Sequence, residues 1–131
     1  MRISLEGKRA VVTAGGAGMG RATCLALAAA GAEVFTCDVD AAALATLPEG
    51  IHAQVCDVAD PAAVDRMLEA ILPGGLDIMV NNAGIAGPTA PVEEVSVEDW
   101  RQCMAVCIDS QFYFTRRVVP VFKNRRGGAL I

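Results

Sequence analysis

No apolar run in this chain approaches the ~18 residues that a membrane-spanning helix needs, and its N-terminus carries no apolar signal core. Secretion or membrane insertion is therefore not expected, and a cytoplasmic location is. Aromatic residues are scarce at 5%, with one Trp and one Tyr, and His52 is the single histidine. Basic residues number 11 against 15 acidic ones, giving a net charge of −4. That balance lacks the basic face a nucleic-acid partner demands. The pairs Arg116-Arg117 and Arg125-Arg126 read as a solvated helix face and a helix end. Five cysteines (Cys24, Cys37, Cys56, Cys103, Cys107) include no Cys-x-x-Cys spacing. They read as reduced, buried thiols of a cytosolic protein. Cys103 and Cys107 share one helix face, but further ligands are missing, so no metal site is expected.

What the chain has is apolar bulk and regular punctuation. Of its 131 residues, 53% are hydrophobic and 20% charged, which suits one globular domain, 1–131. Its organising stretch is Thr13-Ala14-Gly15-Gly16-Ala17-Gly18-Met19-Gly20, between the apolar run Ala10-Val11-Val12 and an Ala/Leu-rich helical stretch. A strand, a tight Gly-rich turn and a helix together offer backbone N–H groups and a helix N-terminus to a phosphate. Asp38 ends the next apolar run, Val34-Phe35-Thr36-Cys37, where a carboxylate can accept hydrogen bonds from an adenosine ribose.

The rest alternates. The helix after Gly18 is expected to reach about Ala30, with Gly31 capping it. A second strand covers 33–37, a short helix 41–47 starts at Asp40, and a third strand covers 51–55. Asp60-Pro61 opens a helix whose Val64, Met67, Leu68, Ile71 and Leu72 fall on one face. A fourth strand, 77–80, ends in Asn81-Asn82-Ala83-Gly84. Ser96-Val97-Glu98-Asp99 resembles a capping box. It leads a long helix, 97–122, and Ala129-Leu130-Ile131 begins another buried strand. This alternation predicts an α/β, Rossmann-type doubly wound parallel sheet of order 3-2-1-4 with a fifth strand started. The Gly-rich turn and the Asn81–Gly84 turn then meet at one crevice, at the carboxyl ends of strands one and four.

With Thr13–Gly20, Asp38, Asp57-Val58 and Asn81-Asn82-Ala83-Gly84 all in place, the sequence resembles the short-chain dehydrogenase/reductase family. The family's first turn is Thr-Gly-x-x-x-Gly-x-Gly and its fourth strand ends in Asn-Asn-Ala-Gly. Trp100, before the long helix, also fits. The resemblance implies that Gly15, Gly16, Gly18 and Met19 lie along a pyrophosphate and that Asp38 holds ribose hydroxyls. It places Asp57 and Val58 beside adenine, and Asn82, Ala83 and Gly84 on the nicotinamide ribose. Asp38 would repel a 2′-phosphate, and positions 17 and 39 carry no Lys or Arg, so NAD is expected over NADP. Arg21 is the one basic residue nearby.

Three positions depart from the family pattern. Ala14 replaces the first glycine of the turn, and an alanine there is expected to need a negative φ. Cys107 replaces an asparagine whose family role is to hold a water in a proton relay, which a thiol does poorly. The family's catalytic serine and Tyr-x-x-x-Lys come after the point where this sequence stops, at Ile131. Tyr113 and Arg117 echo the spacing, but in the earlier helix, where packing or interface roles are expected. No catalytic residue is therefore assigned. The resemblance implies the cofactor-binding, C-terminally incomplete half of an NAD-dependent oxidoreductase acting on a small alcohol or carbonyl substrate. The alternatives are a non-catalytic nucleotide-binding module, or an interaction partner. A homo-oligomer through the 97–122 helix is expected, using Phe112, Tyr113, Phe114, Val118 and Val119, with apolar surface also exposed at the edge of strand four.

Overall fold

A computed structural model describes residues 2–131. At its centre lies β1 (Arg9–Thr13), whose Ala10, Val11 and Val12 are wholly buried. β2 (Glu33–Asp38) pairs parallel with it on one side, Val11 opposite Phe35, and β4 (Ile78–Val80) on the other, Val11 opposite Met79. With β3 (His52–Val55) outside β2 and β5 (Ala129–Leu130) outside β4, the sheet is parallel and ordered β3-β2-β1-β4-β5. This is the doubly wound Rossmann-type arrangement.

Successive strand residues face opposite ways, and two layers form accordingly. Val11, Cys37 and Met79 join a core with Val64, Met67, Leu68 and Ile71 of α3 (Pro61–Ile71). Phe114 and Val118 of a later helix complete that layer. Val12 and Val34 pack on the other face against Cys24 of α1 (Gly18–Ala29). Phe114 has no exposed surface, and burying a phenylalanine contributes up to about 3 kcal/mol. α3 starts as its sequence requires: Asp60 accepts from Ala62 N–H at 3.0 Å, and Pro61 takes the first turn. α1 ends at Gly31, whose φ of +100° suits glycine alone. α2 is shorter than expected, Ala41–Leu44, still capped by Asp40 on Ala43 N–H at 3.0 Å.

The region expected as one helix over 97–122 is three pieces. α4 (Val97–Met104) opens where Ser96 Oγ accepts from Asp99 N–H at 3.0 Å. A π-helical turn, Ala105–Asp109, follows, then α5 (Ser110–Arg125), which runs through Pro120 and past the expected end. Through the π turn one row at steps of four, Val106, Ser110, Phe114 and Val118, stays buried. Phe114 and Val118, expected to pack on another subunit, point into this chain's own core. The outward row is instead Trp100, Met104, Ile108 and Phe112.

Arg117 pairs with Asp65 across α5 and α3; both are half-exposed, so the pair contributes under ~1 kcal/mol. Arg125 holds α5 to the sheet, donating to Leu76 O at 3.1 Å beside Asp77 at 3.2 Å. Two expectations about the sheet's edge fail. The outer side of β4 is covered by β5, and β5 itself is exposed rather than buried, because it pairs with β4 alone. Among the described residues no helix is long and apolar enough to cross a membrane.

Candidate functional site

Thr13 closes β1 and joins the two turns that the sequence keeps far apart. Its Oγ1 accepts from Asn82 N–H and Ala83 N–H, each at 2.9 Å. The Asn82 amide returns the contact, donating to Thr13 O at 3.0 Å and Ala14 O at 3.3 Å. The end of β4 is thereby latched to the start of the Gly-rich turn.

Within that turn each glycine answers to a different neighbour. A Cβ on Gly15 would overlap the Thr36 hydroxyl and meet Cys24 Sγ at 2.8 Å, so the turn can lie flat on β2 only with glycine there. Its N–H is already used, donating to Cys37 O at 3.1 Å. Gly16 N–H donates to Asp38 Oδ2 at 3.0 Å, while Asp40 N–H donates to Oδ1 at 3.1 Å. Asp38 therefore holds the turn as well as ending β2. Gly20, which ends the sequence motif but carries no expected ligand role, is as constrained: a Cβ there would overlap Ala14 O and the Asn82 amide. The spacing Gly18-x-Gly20 was the available signal. Gly18 faces open space with φ +57° and begins α1. The N–H groups of α1's first turn have no partner within the helix, and they carry the positive end of its dipole.

The expectation for Ala14 is overturned: its φ is +55°. The turn keeps the shape a glycine would give it, with the Asn82 amide bonding the Ala14 carbonyl. A left-handed alanine costs about 1–2 kcal/mol, against roughly 0.4–1 kcal/mol for the added freedom of an unfolded glycine. Ala14→Gly is expected to raise stability by about 0.5 kcal/mol, read as a higher urea midpoint at unchanged slope.

These elements enclose a crevice of about 540 Å³ at the carboxyl ends of the strands, within the range of small-molecule sites. Eight of the ten residues singled out from the sequence line it: Gly18, Met19, Asp38, Asp57, Val58, Asn82, Ala83 and Gly84. Gly15 and Gly16 lie behind the lining and shape the turn from within. Ile85, Gln102 and Val106 complete the far wall; loop and helix residues of this kind carry no motif. Asp57 is fixed by accepting from Ala59 N–H at 2.9 Å. Cys56 lines the crevice and Cys37 lies beneath it. Their interaction, with burial, pushes the Cys37 thiol above its usual range, and the same interaction holds Cys56 below it.

The thiols Cys103 and Cys107 are not buried as expected but half-exposed, against the loop after Gly84. Cys107 occupies its place by bonding the Ile85 backbone, accepting from its N–H at 3.4 Å. Tyr113 packs beside the α3 core layer, and neither it nor Arg117 lines the crevice.

This geometry has close counterparts. The sequence profile of the short chain dehydrogenase family matches residues 8–131. The chain is 37% identical to 2-keto-3-deoxy-L-fuconate dehydrogenase of Xanthomonas campestris over 97% of its own length and 42% of that protein's. It is 35% identical to D-threitol dehydrogenase of Mycolicibacterium smegmatis, over 97% of this chain and 52% of the relative. Among solved structures, 3-ketoacyl-(acyl-carrier-protein) reductase from Brucella melitensis, complexed with NADH, superposes with a TM-score of 0.86 at 33% identity. That match covers 93% of this chain and 53% of the reductase. The chain spans about half the length of the curated relatives it matches. By profile, identity and fold together, the chain belongs to the short chain dehydrogenase family.

Proposed function

We propose that this chain forms the dinucleotide-binding half of an NAD-dependent oxidoreductase that moves hydride between NAD(H) and a small alcohol or carbonyl compound. The observation that carries the proposal is the crevice itself. It has unpartnered helix N–H groups at its middle, a carboxylate at one end and the latched Asn82–Gly84 turn at the other. An elongated ligand with a central pyrophosphate fits that order of groups.

In this reading the first turn of α1, from Gly18 and Met19, faces the pyrophosphate, and Gly15 and Gly16 keep the turn thin behind it. Asp38 accepts from the adenosine ribose; a carboxylate has about four lone-pair positions, and two are taken by Gly16 and Asp40. Asp57 and Val58 flank the adenine, and Asn82, Ala83 and Gly84 border the nicotinamide ribose. The nicotinamide supplies the hydride chemistry, while these residues bind and orient. NAD is favoured over NADP because Asp38 repels a 2′-phosphate and Ala17 and Val39 offer no compensating charge. Arg21 is engaged elsewhere, donating to Thr46 O at 3.3 Å. The exposed row Trp100, Met104, Ile108 and Phe112 supports pairing with a second copy of the chain through α4 and α5.

The reading is tested by titrating the protein with NADH and NADPH and following cofactor fluorescence. NADH is expected to bind at least about 10-fold more tightly, which is about 1.4 kcal/mol. Asp38→Ala is expected to weaken NADH binding by about 10–100-fold, the loss of hydrogen bonds to a charged acceptor. Absence of NADH binding by the unaltered protein overturns the proposal. A binding module without turnover is the second reading, favoured by one observation. The ionisable side chains of the crevice are Asp38, Asp57 and Cys56, all at the proposed adenosine end. That reading predicts binding of NADH without its oxidation by carbonyl compounds.

A further inference from the structure

Two thiols meet beside the crevice and take no part in the reading above. Cys103 Sγ and Cys107 Sγ are 4.0 Å apart. Both reach the Ile85 carbonyl, Cys107 at 3.3 Å and Cys103 at 3.6 Å. The loop lies close over the pair: a Cβ on Gly84 would come within 3.8 Å of Cys107 Sγ, and one on Gly87 within 3.6 Å of Cys103 Sγ. Cys24, Cys37 and Cys56 are buried, whereas these two are half-exposed, so a reagent from solvent meets them first.

We propose that Cys103 and Cys107 form an oxidisable dithiol, a modification site for hydroperoxides that closes to a disulfide within one chain. One sulfur, as thiolate, attacks the peroxide: an S–O bond forms, the O–O bond breaks, and the alcohol or water leaves. The second thiolate then attacks the sulfenic sulfur; the S–S bond forms, the S–O bond breaks, and water leaves. The two thiols together lose two electrons and two protons, and the peroxide gains them.

Two features favour closure within the chain over other fates of the sulfenic acid. The second sulfur is already in contact, so no diffusing partner is needed. Cβ atoms four residues apart on a helix stand about 5–6 Å apart, and a disulfide needs roughly 3.5–4.5 Å. The turn must therefore tighten, and Cys107 lies in the π turn, where the helical period is already irregular. Closure also removes both S–H donors from the Ile85 carbonyl. Ile85 follows Gly84 and lines the crevice, so oxidation frees the loop at that end. Desolvation and the contact with Cys107 hold the Cys103 thiol above its usual range, so oxidation quickens as pH rises.

The test is peptide mapping after treatment of the whole protein with hydrogen peroxide, alkylation in denaturant and trypsin digestion. Arg101 and Arg116 bracket both residues, so they share the peptide Gln102–Arg116. It is expected to lose two hydrogen atoms and take up no alkyl group, and to regain both alkylation sites after dithiothreitol. Cys24, Cys37 and Cys56 should remain alkylated throughout. Cys103→Ser should leave Cys107 as a sulfenic acid that dimedone traps. Full alkylation of Gln102–Arg116 after peroxide, or a cross-link between chains, overturns the proposal. The readout needs no bound cofactor, so failure of NADH binding in the untreated protein counts only against the function proposed above.

Discussion

Thr13→Val is expected to destabilise the protein by about 3 kcal/mol while leaving the shape of the side chain unchanged. Thr13 is 1% exposed, and its single oxygen accepts from both Asn82 N–H and Ala83 N–H. Valine leaves these part-buried donors without an acceptor, and each orphaned group costs about 1–3 kcal/mol. Thr13→Ser keeps the oxygen and gives up one methyl group, about 0.8–1 kcal/mol. The pair of variants separates the hydrogen bonds from the packing. Urea unfolding of both should show serine holding most of the stability and valine losing it. NADH affinity should follow the same order, because the latch holds the two walls of the crevice together. If valine sits within ~0.5 kcal/mol of the unaltered protein, the latch is not what joins the turns.

Gly20→Ala should lose about 3 kcal/mol although it exchanges a poor helix former for the best one. The methyl group would overlap Ala14 O and the Asn82 amide. Ala14 O belongs to a backbone already held in the left-handed region, so it has little room to yield. Gly18→Ala is the informative contrast. Gly18 has nothing within 4 Å of a built Cβ and only its φ of +57° to resist substitution, which costs about 1–2 kcal/mol. Chemical denaturation of the two variants should rank Gly20 well above Gly18. Equal losses would mean that backbone angle, rather than contact with Asn82, governs the turn.

The sheet was legible in advance for a physical reason. Strands buried on both faces must be short apolar runs, and Ala10–Val12, Val34–Cys37 and Ile78–Val80 are such runs, separated by Asp-Pro, Gly-Gly and Asp caps. Right-handed crossovers then leave few orders, and the observed one is among them. The crevice was legible because motif glycines and Asp38 sit at strand ends, where the order reverses. What escaped were effects that arise only when distant pieces meet. Ala14 stands where the family's turn has glycine, yet an alanine by itself disfavours the positive φ that it takes here, with Asn82 bonding its carbonyl. Gly15 reads as a ligand contact, and nothing in the sequence signals that Thr36 also leaves no room for a Cβ there. The stretch 97–122 reads as a continuous helix because each residue tolerates one. Phe112 and Phe114, two residues apart in α5, face opposite ways, and packing against α3 decides that Phe114 and Val118 are the inward ones.

The sheet order also sets a sequence of events in time. β1 gains its neighbour β2 from the next stretch of chain, but its other neighbour, β4, arrives across a long separation, 68 residues in the case of Arg9 N–H on Asp77 Oδ2. Loop closure costs entropy before any such contact is made, and parallel pairing between distant strands is intrinsically slow. β1, β2 and α1 can assemble early, held by Val12, Val34 and Cys24. The layer containing Met79 and Phe114 and the Thr13–Asn82 latch are expected to follow. The crevice, which needs both halves, is thus expected to form late in folding, and amide hydrogens at the centre of β1 are expected to exchange last.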